Sequence, residues 1–63
     1  MPKVQGDENA LIELCSFVEG SCQECGFWAG GSGADVIEAS RVHVELTCHR
    51  VVLEATYYGA VEP

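Results

Sequence analysis

Two cysteines separated by two residues are the feature of this sequence that points most directly to chemistry. Cys22 and Cys25 are followed at once by Gly26. Thiolates at this spacing suit half of a tetrahedral metal site, because one tight turn can direct both sulfurs at a single point. The same pair could act as a redox couple, and small thiols are also buried simply as apolar side chains. The glycine favours a metal site, since such a turn often needs a residue that tolerates a positive φ.

Further along the chain, Cys48 and His49 offer donors for the second half of such a site. Cys22, Cys25 and Cys48 would supply three ligands. The fourth ligand is either His49 or Cys15. His49 is favoured if Cys15 lies on the apolar stripe of a helix, because Cys15 would then belong to the core. A structural zinc ion takes four thiolate or imidazole ligands, so the sequence predicts zinc as the cofactor.

The cysteine pattern resembles those of two known groups of proteins. Residues 22–26 resemble the knuckle of zinc ribbons and related small zinc folds, and that resemblance implies a structural zinc ion. The spacing C-x6-C-x2-C-x22-C and the stretch GSCQECG are similar to the cluster loop of plant-type [2Fe–2S] ferredoxins. This second resemblance implies a small iron–sulfur electron carrier, which stays an alternative.

The composition limits the partners that the chain can bind. Its 63 residues carry ten Asp and Glu against three Lys and Arg, for a formal net charge of −7 at pH 7. Phosphate groups would be repelled by such a surface, which argues against nucleic acid and anionic membranes. A chain this short buries only about 60% of the surface that its unfolded form exposes, so we expect a metal ion, disulfides or a partner chain to stabilise it.

The N-terminal residues lack a basic segment that leads into an apolar run. No stretch of the sequence approaches the roughly 18 apolar residues that a membrane span requires. We therefore expect a cytoplasmic location, where thiols are kept reduced. This expectation ranks metal binding or plain burial of the cysteines above disulfide formation.

An apolar stripe predicts an N-terminal helix over residues 10–18. Asp7 is a candidate N-cap, and Gly20 is well placed to end the helix. The stripe recurs at i, i+3, i+4 and i+7: Leu11, Leu14, Cys15 and Val18. A strand is the alternative, because LIELCSFV is apolar enough to be buried in one. Residues 20–34 are predicted to form a glycine- and cysteine-rich loop, and ADVIEAS after it fits either a helical turn or a strand.

Alternating residues predict an antiparallel β-hairpin over residues 41–58. The apolar phase changes from even to odd positions after residue 50. A register that pairs Leu46 with Val51 would gather the apolar side chains on one face and set His43 opposite Glu54 on the other. The same register places Cys48 and His49 at the turn, where they could meet the cysteine loop.

Together these patterns predict a single small α+β domain over residues 1–63: an N-terminal helix, a Gly/Cys-rich loop and a C-terminal β-hairpin. An all-β meander is the alternative if residues 10–18 form a strand. Because no catalytic arrangement of side chains stands out, we expect a non-enzymatic interaction or structural module, stabilised by zinc and acting through protein contacts. The competing expectation is a metal-free subunit of a larger assembly, such as a homo-oligomer or a virion-type cement protein.

Overall fold

A five-stranded antiparallel sheet and two helices make up the fold. The structure is a computed structural model that describes residues 2–63. The elements along the chain are β1 (Lys3–Gly6), α1 (Glu8–Glu13), β2 (Val18–Cys22), β3 (Trp28–Gly31), α2 (Gly33–Thr47), β4 (Val51–Glu54) and β5 (Tyr58–Glu62). The strand order is β1-β5-β4-β2-β3. The α+β class predicted from the sequence is confirmed, with more strands than the predicted hairpin.

One face of the sheet forms the core with the longer helix. Alternate residues of β2 and β4 are buried, which is the period-2 pattern of a sheet covered on one side. Helix α2 buries Val36, Ile37 and Val44 in the same cluster. No helix within residues 2–63 is both long and apolar enough to cross a lipid bilayer.

Helix α2 and strand β2 approach each other closely at Gly20. A Cβ atom at this position would lie 3.0 Å from the Ser40 hydroxyl oxygen and 3.1 Å from a methyl carbon of Val36. The sequence predicts Gly20 as the end of a helix, and that prediction is wrong. The residue lies inside a strand, where the missing side chain makes room for the helix.

Substituting the buried Ser40 by alanine is expected to stabilise the protein by about 1 kcal/mol. Its side chain is fully buried, and its hydroxyl has no hydrogen-bond partner among residues 2–63. An unsatisfied buried hydroxyl costs free energy, and alanine is the better helix former. Urea unfolding would measure the change, with the exposed Ser16→Ala as the matched control that should shift stability by less than about 0.5 kcal/mol. A less stable Ser40→Ala protein would show that the hydroxyl has a partner after all.

The N-terminal helix is shorter than predicted. It spans Glu8–Glu13, and Leu11 is its buried residue, whereas Leu14 is 68% exposed. Val18, predicted as the last residue of the apolar stripe, belongs to β2 instead. Asp7 occupies the N-cap position, although its side chain makes no capping hydrogen bond. The all-β alternative is also wrong, because this segment is helical.

The predicted hairpin over residues 41–58 is wrong, because its first half is helical. Helix α2 spans Gly33–Thr47 and is capped by Ser32, whose hydroxyl accepts a hydrogen bond from the Asp35 backbone N–H at 3.3 Å. The apparent strand residues Val42 and Leu46 are 50% and 79% exposed. Their alternation with polar residues therefore does not mark a buried face, and the predicted pairing of His43 with Glu54 is absent.

A C-terminal hairpin does exist, but over later residues than predicted. Strands β4 and β5 pair with Val51 opposite Val61 and Leu53 opposite Gly59. The change of phase after residue 50 therefore marks the start of β4. Its other neighbour is β2, which pairs Val51 with Cys22. The segment predicted as a glycine-rich loop is likewise largely a hairpin, formed by β2 and β3.

Candidate metal centre

The turn between β2 and β3 places two cysteines at one end of the sheet. Cys22 is the last residue of β2, and its backbone N–H donates to the carbonyl of Phe27 at 2.9 Å. Gly26 N–H donates to the Cys22 carbonyl at 3.3 Å, and Gly26 has a φ of +76°. A Cβ atom at residue 26 would meet no atom within 4 Å, so lack of space does not explain the glycine. The positive φ explains it, because other residues rarely adopt that conformation. The turn brings the two sulfurs together, with 3.6 Å between them.

Helix α2 contributes His43 to the same point. Its Nε2 atom lies 3.4 Å from Cys25 Sγ. The imidazole stacks on the ring of Phe27, with 4.2 Å between centroids and 15° between planes. Phe27 is itself half-buried against the core, so the stack fixes the orientation of the imidazole over the cysteine turn.

The end of α2 returns a second histidine to the cluster. Cys48 adopts a left-handed conformation, with φ of 60°, and its N–H donates to the Val44 carbonyl at 2.8 Å. The Thr47 hydroxyl donates to the His43 carbonyl at 2.8 Å and accepts from the His49 N–H at 3.2 Å. This one side chain therefore links the backbones of the two histidines. Their rings meet edge to face, with centroids 5.8 Å apart.

The four side chains form one cluster of possible metal ligands. One donor atom from each of Cys22, Cys25, His43 and His49 lies within 4.8 Å of the others. Cys22 is buried, both histidines are half-buried, and Cys25 is exposed. These residues lie close enough together to hold a metal ion, and two thiolates with two imidazoles are compatible with zinc.

Two of the six separations between the donor atoms match one tetrahedral ion. Bonds of about 2.3 Å to sulfur and about 2.05 Å to nitrogen separate two sulfurs by about 3.8 Å, and a sulfur from a nitrogen by about 3.5 Å. The corresponding distances here are 3.6 Å and 3.4 Å. A disulfide would need the two sulfurs at about 2.05 Å, and all four cysteines are free thiols.

The structure places the sequence-predicted ligands in two groups. It brings Cys22, Cys25 and His49 together, as proposed from the sequence. Cys48 lies outside the cluster, with an exposed side chain at the end of α2. His43 takes the place in the cluster that the sequence predicts for Cys48. Cys15, the alternative fourth ligand, is half-buried and packs against the hydrophobic core.

The spacing of the histidines could have identified His43. Five residues separate His43 from His49, which lies within the H-x3–5-H range of structural zinc sites. That signal requires a helix before the second histidine, and the capping pattern from Ser32 to Asp35 indicates one. The strand predicted over residues 41–46 instead places His43 on a polar sheet face, away from the cysteines.

Comparison of the chain with protein-family models, with curated proteins and with solved structures finds no match.

Proposed function

We propose that the protein is a non-enzymatic interaction module whose fold is held together by one zinc ion bound to Cys22, Cys25, His43 and His49. The observation that carries this proposal is the convergence of four donor atoms from three segments of the chain within 4.8 Å. Two come from the β2–β3 turn, one from within α2 and one from the residues that follow it. An ion at this point would tie the hairpin to the end of the helix that covers it.

The identity of the metal follows from the donors and their spacing. Tetrahedral sites with two sulfur and two nitrogen ligands are typical of zinc. The iron–sulfur alternative fits less well, because Cys15 and Cys48 are not in the cluster. A two-iron cluster with cysteines on one iron and histidines on the other would also need the sulfurs farther from the imidazoles than the 3.4 Å between Cys25 Sγ and His43 Nε2.

A buried ring nitrogen of His49 supports a metal ion at this position. Its Nδ1 atom is buried and has no hydrogen-bond partner among residues 2–63. Such an atom costs free energy unless a partner is supplied, and a metal ion is a partner for a neutral imidazole. We assign Nδ1 of His49 and Nε2 of His43 as the nitrogen ligands.

A site with four protein ligands is structural rather than catalytic. Catalytic zinc sites keep three protein ligands and leave one position for water or substrate, whereas this cluster fills all four. The groove beside the end of α2 has a volume of about 210 Å³, which is below the roughly 300–1,000 Å³ of ligand pockets. Both features favour a function in protein contacts over one in catalysis.

The energetic need for the ion follows from the size of the chain. A domain of 63 residues gains little net stability from its core alone. A structural zinc ion contributes on the order of 10 kcal/mol of folding energy in small domains, because the unfolded chain has no preformed site. The metal is therefore expected to decide whether the protein folds.

The surface provides apolar area for contacts with a partner. Several large apolar side chains are more than one-third exposed, including Trp28 at 58% and Leu46 at 79%. Exposed aromatic side chains are enriched at protein interfaces. The others in this group are Ile12, Leu14, Phe17, Val42 and Tyr58.

Metal analysis together with chelation tests the proposal. Native mass spectrometry is expected to find one zinc ion per chain, and excess chelator should abolish the far-UV circular dichroism of the folded state. Adding zinc back should restore the signal, because metal binding and folding are coupled. A well-folded protein with less than about half an equivalent of zinc and no response to chelator would overturn the proposal.

A further inference from the structure

The face of the sheet opposite the helices carries exposed aromatic and acidic side chains. Residues of β2 and β4 that alternate with the buried ones point to this side. Here Phe17, Trp28 and Tyr58 are 54%, 58% and 69% exposed, and Glu19 and Glu54 are also exposed. We name these five residues the acidic–aromatic face.

The strand register aligns the two carboxylates between the aromatic residues. Glu19 of β2 pairs with Glu54 of β4, and Glu54 pairs with Tyr58 of β5. On the other side Glu19 pairs with Gly30 of β3. The row from Gly30 to Tyr58 therefore crosses four neighbouring strands, with both carboxylates in its middle.

Two aromatic rings cover the glycine end of this row. A Cβ atom at Gly30 would collide with the ring of Trp28 and would lie 3.0 Å from Cζ of Phe17. The absence of a side chain thus lets the indole lie across β3 towards Glu19. The indole Nε1 donates to Glu19 Oε1 at 3.3 Å, which holds this carboxylate beside the ring.

Within residues 2–63, the two carboxylates have no positively charged partner. Like charges directly opposite each other on neighbouring strands destabilise a sheet. Neither Glu19 nor Glu54 forms an ion pair among residues 2–63, where Arg41 pairs with Glu8 and Arg50 with Glu62. The face therefore presents unneutralised negative charge next to exposed aromatic rings.

We propose that the acidic–aromatic face binds an arginine-bearing extended segment of a protein partner. Guanidinium groups form bidentate hydrogen bonds with carboxylates and stack on aromatic rings, so one residue type satisfies both features of the face. This inference rests on the proposed function, because it names the partner class of the same module. A lysine would meet the carboxylates but would stack less well on Trp28.

Charge complementarity selects this occupant over the alternatives. A second copy of the chain would bring another net charge of −7 to a negative face. The phosphates of nucleic acid would be repelled in the same way. A basic segment is attracted from a distance and neutralises the facing carboxylates on arrival.

The dimensions of the face suit a short peptide. The row spans three strand spacings of about 4.8 Å each, or roughly 14 Å in all. An extended segment rises about 3.3 Å per residue, so about five residues cover this length. Arginines at every second position would lie on one side of such a segment and could reach both carboxylates.

Trp28 allows binding to be measured directly. It is the single tryptophan of the chain. Titration of the zinc-loaded protein with the peptide Arg-Gly-Arg-Gly-Arg is expected to change its fluorescence to saturation, whereas Gln-Gly-Gln-Gly-Gln should cause no change. The double variant Glu19→Gln/Glu54→Gln should bind the arginine peptide about tenfold more weakly, because exposed charge pairs contribute modestly each. Tyr58→Ala keeps the reporter and should weaken binding severalfold.

A matched control separates site binding from general attraction. Glu38→Gln/Glu45→Gln removes the same number of charges from exposed positions of α2, on the opposite side of the sheet, and should change the affinity less than twofold. Equal weakening by both double variants would overturn the proposal, as would self-association of the unaltered protein through this face, seen as a concentration-dependent change in Trp28 fluorescence. Zinc content is measured in the same samples. If the protein is fully loaded with zinc but does not bind the peptide, the proposed role of the acidic–aromatic face is refuted and the zinc proposal stands. If a folded, metal-free protein binds the peptide, the zinc proposal is refuted and the role of the face stands.

Discussion

His43→Ala is expected to abolish zinc binding and unfold the protein, while Cys48→Ser leaves both nearly unchanged. The histidine lies 3.4 Å from Cys25 Sγ inside the cluster. The cysteine caps α2 with an exposed side chain. Loss of an outer-shell partner costs about 10–100-fold in metal affinity, and loss of a ligand should cost more. Under the proposed function, folding is coupled to the ion. The variant should then lose most of the folding energy that a structural zinc ion supplies, which is on the order of 10 kcal/mol.

Two further variants separate coordination from packing at this position. His43→Phe keeps an aromatic ring to stack on Phe27 but removes the donor atom, and it should behave like His43→Ala. His43→Cys restores a donor and should recover zinc binding, because three cysteines with one histidine form an accepted zinc site. Zinc affinity by competition with a chromophoric chelator and folding by circular dichroism measure the outcome. Normal affinity in His43→Ala, or loss of affinity in Cys48→Ser, would contradict the assigned ligand set.

Gly33→Ala is expected to destabilise the protein by about 3 kcal/mol, although helix propensity alone predicts stabilisation. Gly33 is the first residue of α2 and is buried. A Cβ atom there would collide with the carbonyl oxygen of Leu11 and would lie 2.9 Å from Cα of Ile12. Both contacts are with backbone atoms of α1, which cannot move aside as a side chain can. Overpacking of this kind costs about 1–3 kcal/mol or more, against a gain of at most about 1 kcal/mol from replacing glycine in a helix.

The neighbouring residue supplies the control for this effect. Ala34 is exposed in the same helical turn. Ala34→Gly should lose only about 1 kcal/mol, the cost of helix propensity. Urea unfolding of both variants at saturating zinc measures the difference. A Gly33→Ala protein as stable as the wild type would show that α1 does not pack closely on the start of α2.

The sequence predicts the class of the fold better than its elements, and the reason lies in α2. Val36, Ile37, Ser40 and Val44 form the buried side of this helix. A serine in that set weakens the apolar stripe, while the exposed Val42 and Leu46 create an alternation typical of a strand. Tertiary packing, and not the apolar pattern, therefore determines that these residues form a helix. The capping pattern that begins at Ser32 is the local signal that agrees with it.

The candidate site could be predicted in part for a related reason. Cys22 and Cys25 depend on a local turn, so their spacing and the following glycine are enough to identify them. The second pair depends on where α2 ends. The left-handed conformation of Cys48 turns its own side chain to solvent and His49 towards the cluster. The sequence alone therefore does not show whether Cys48 or His49 is the ligand, because the choice depends on the backbone conformation at Cys48.

The two proposed features assign different roles to the two sides of the sheet. The ligand cluster joins the β2–β3 turn to the end of α2 on the helical side. The acidic–aromatic face lies on the other side of the same strands, and Glu19 and Cys22 both belong to β2. Metal binding would thus fix the strands whose register aligns Glu19 with Glu54. Zinc is expected to be required for peptide binding without contacting the peptide.

Cobalt(II) titration of the zinc-stripped protein tests the central claim most directly. Cobalt replaces zinc in tetrahedral sites and reports their geometry and donors by its absorption. We expect saturation at one equivalent, with the intense visible bands of four-coordinate cobalt and a sulfur-to-metal charge-transfer band from Cys22 and Cys25. Both should be displaced by zinc. A weak six-coordinate spectrum without charge transfer, or no binding by a protein that is already folded, would contradict the zinc-held fold.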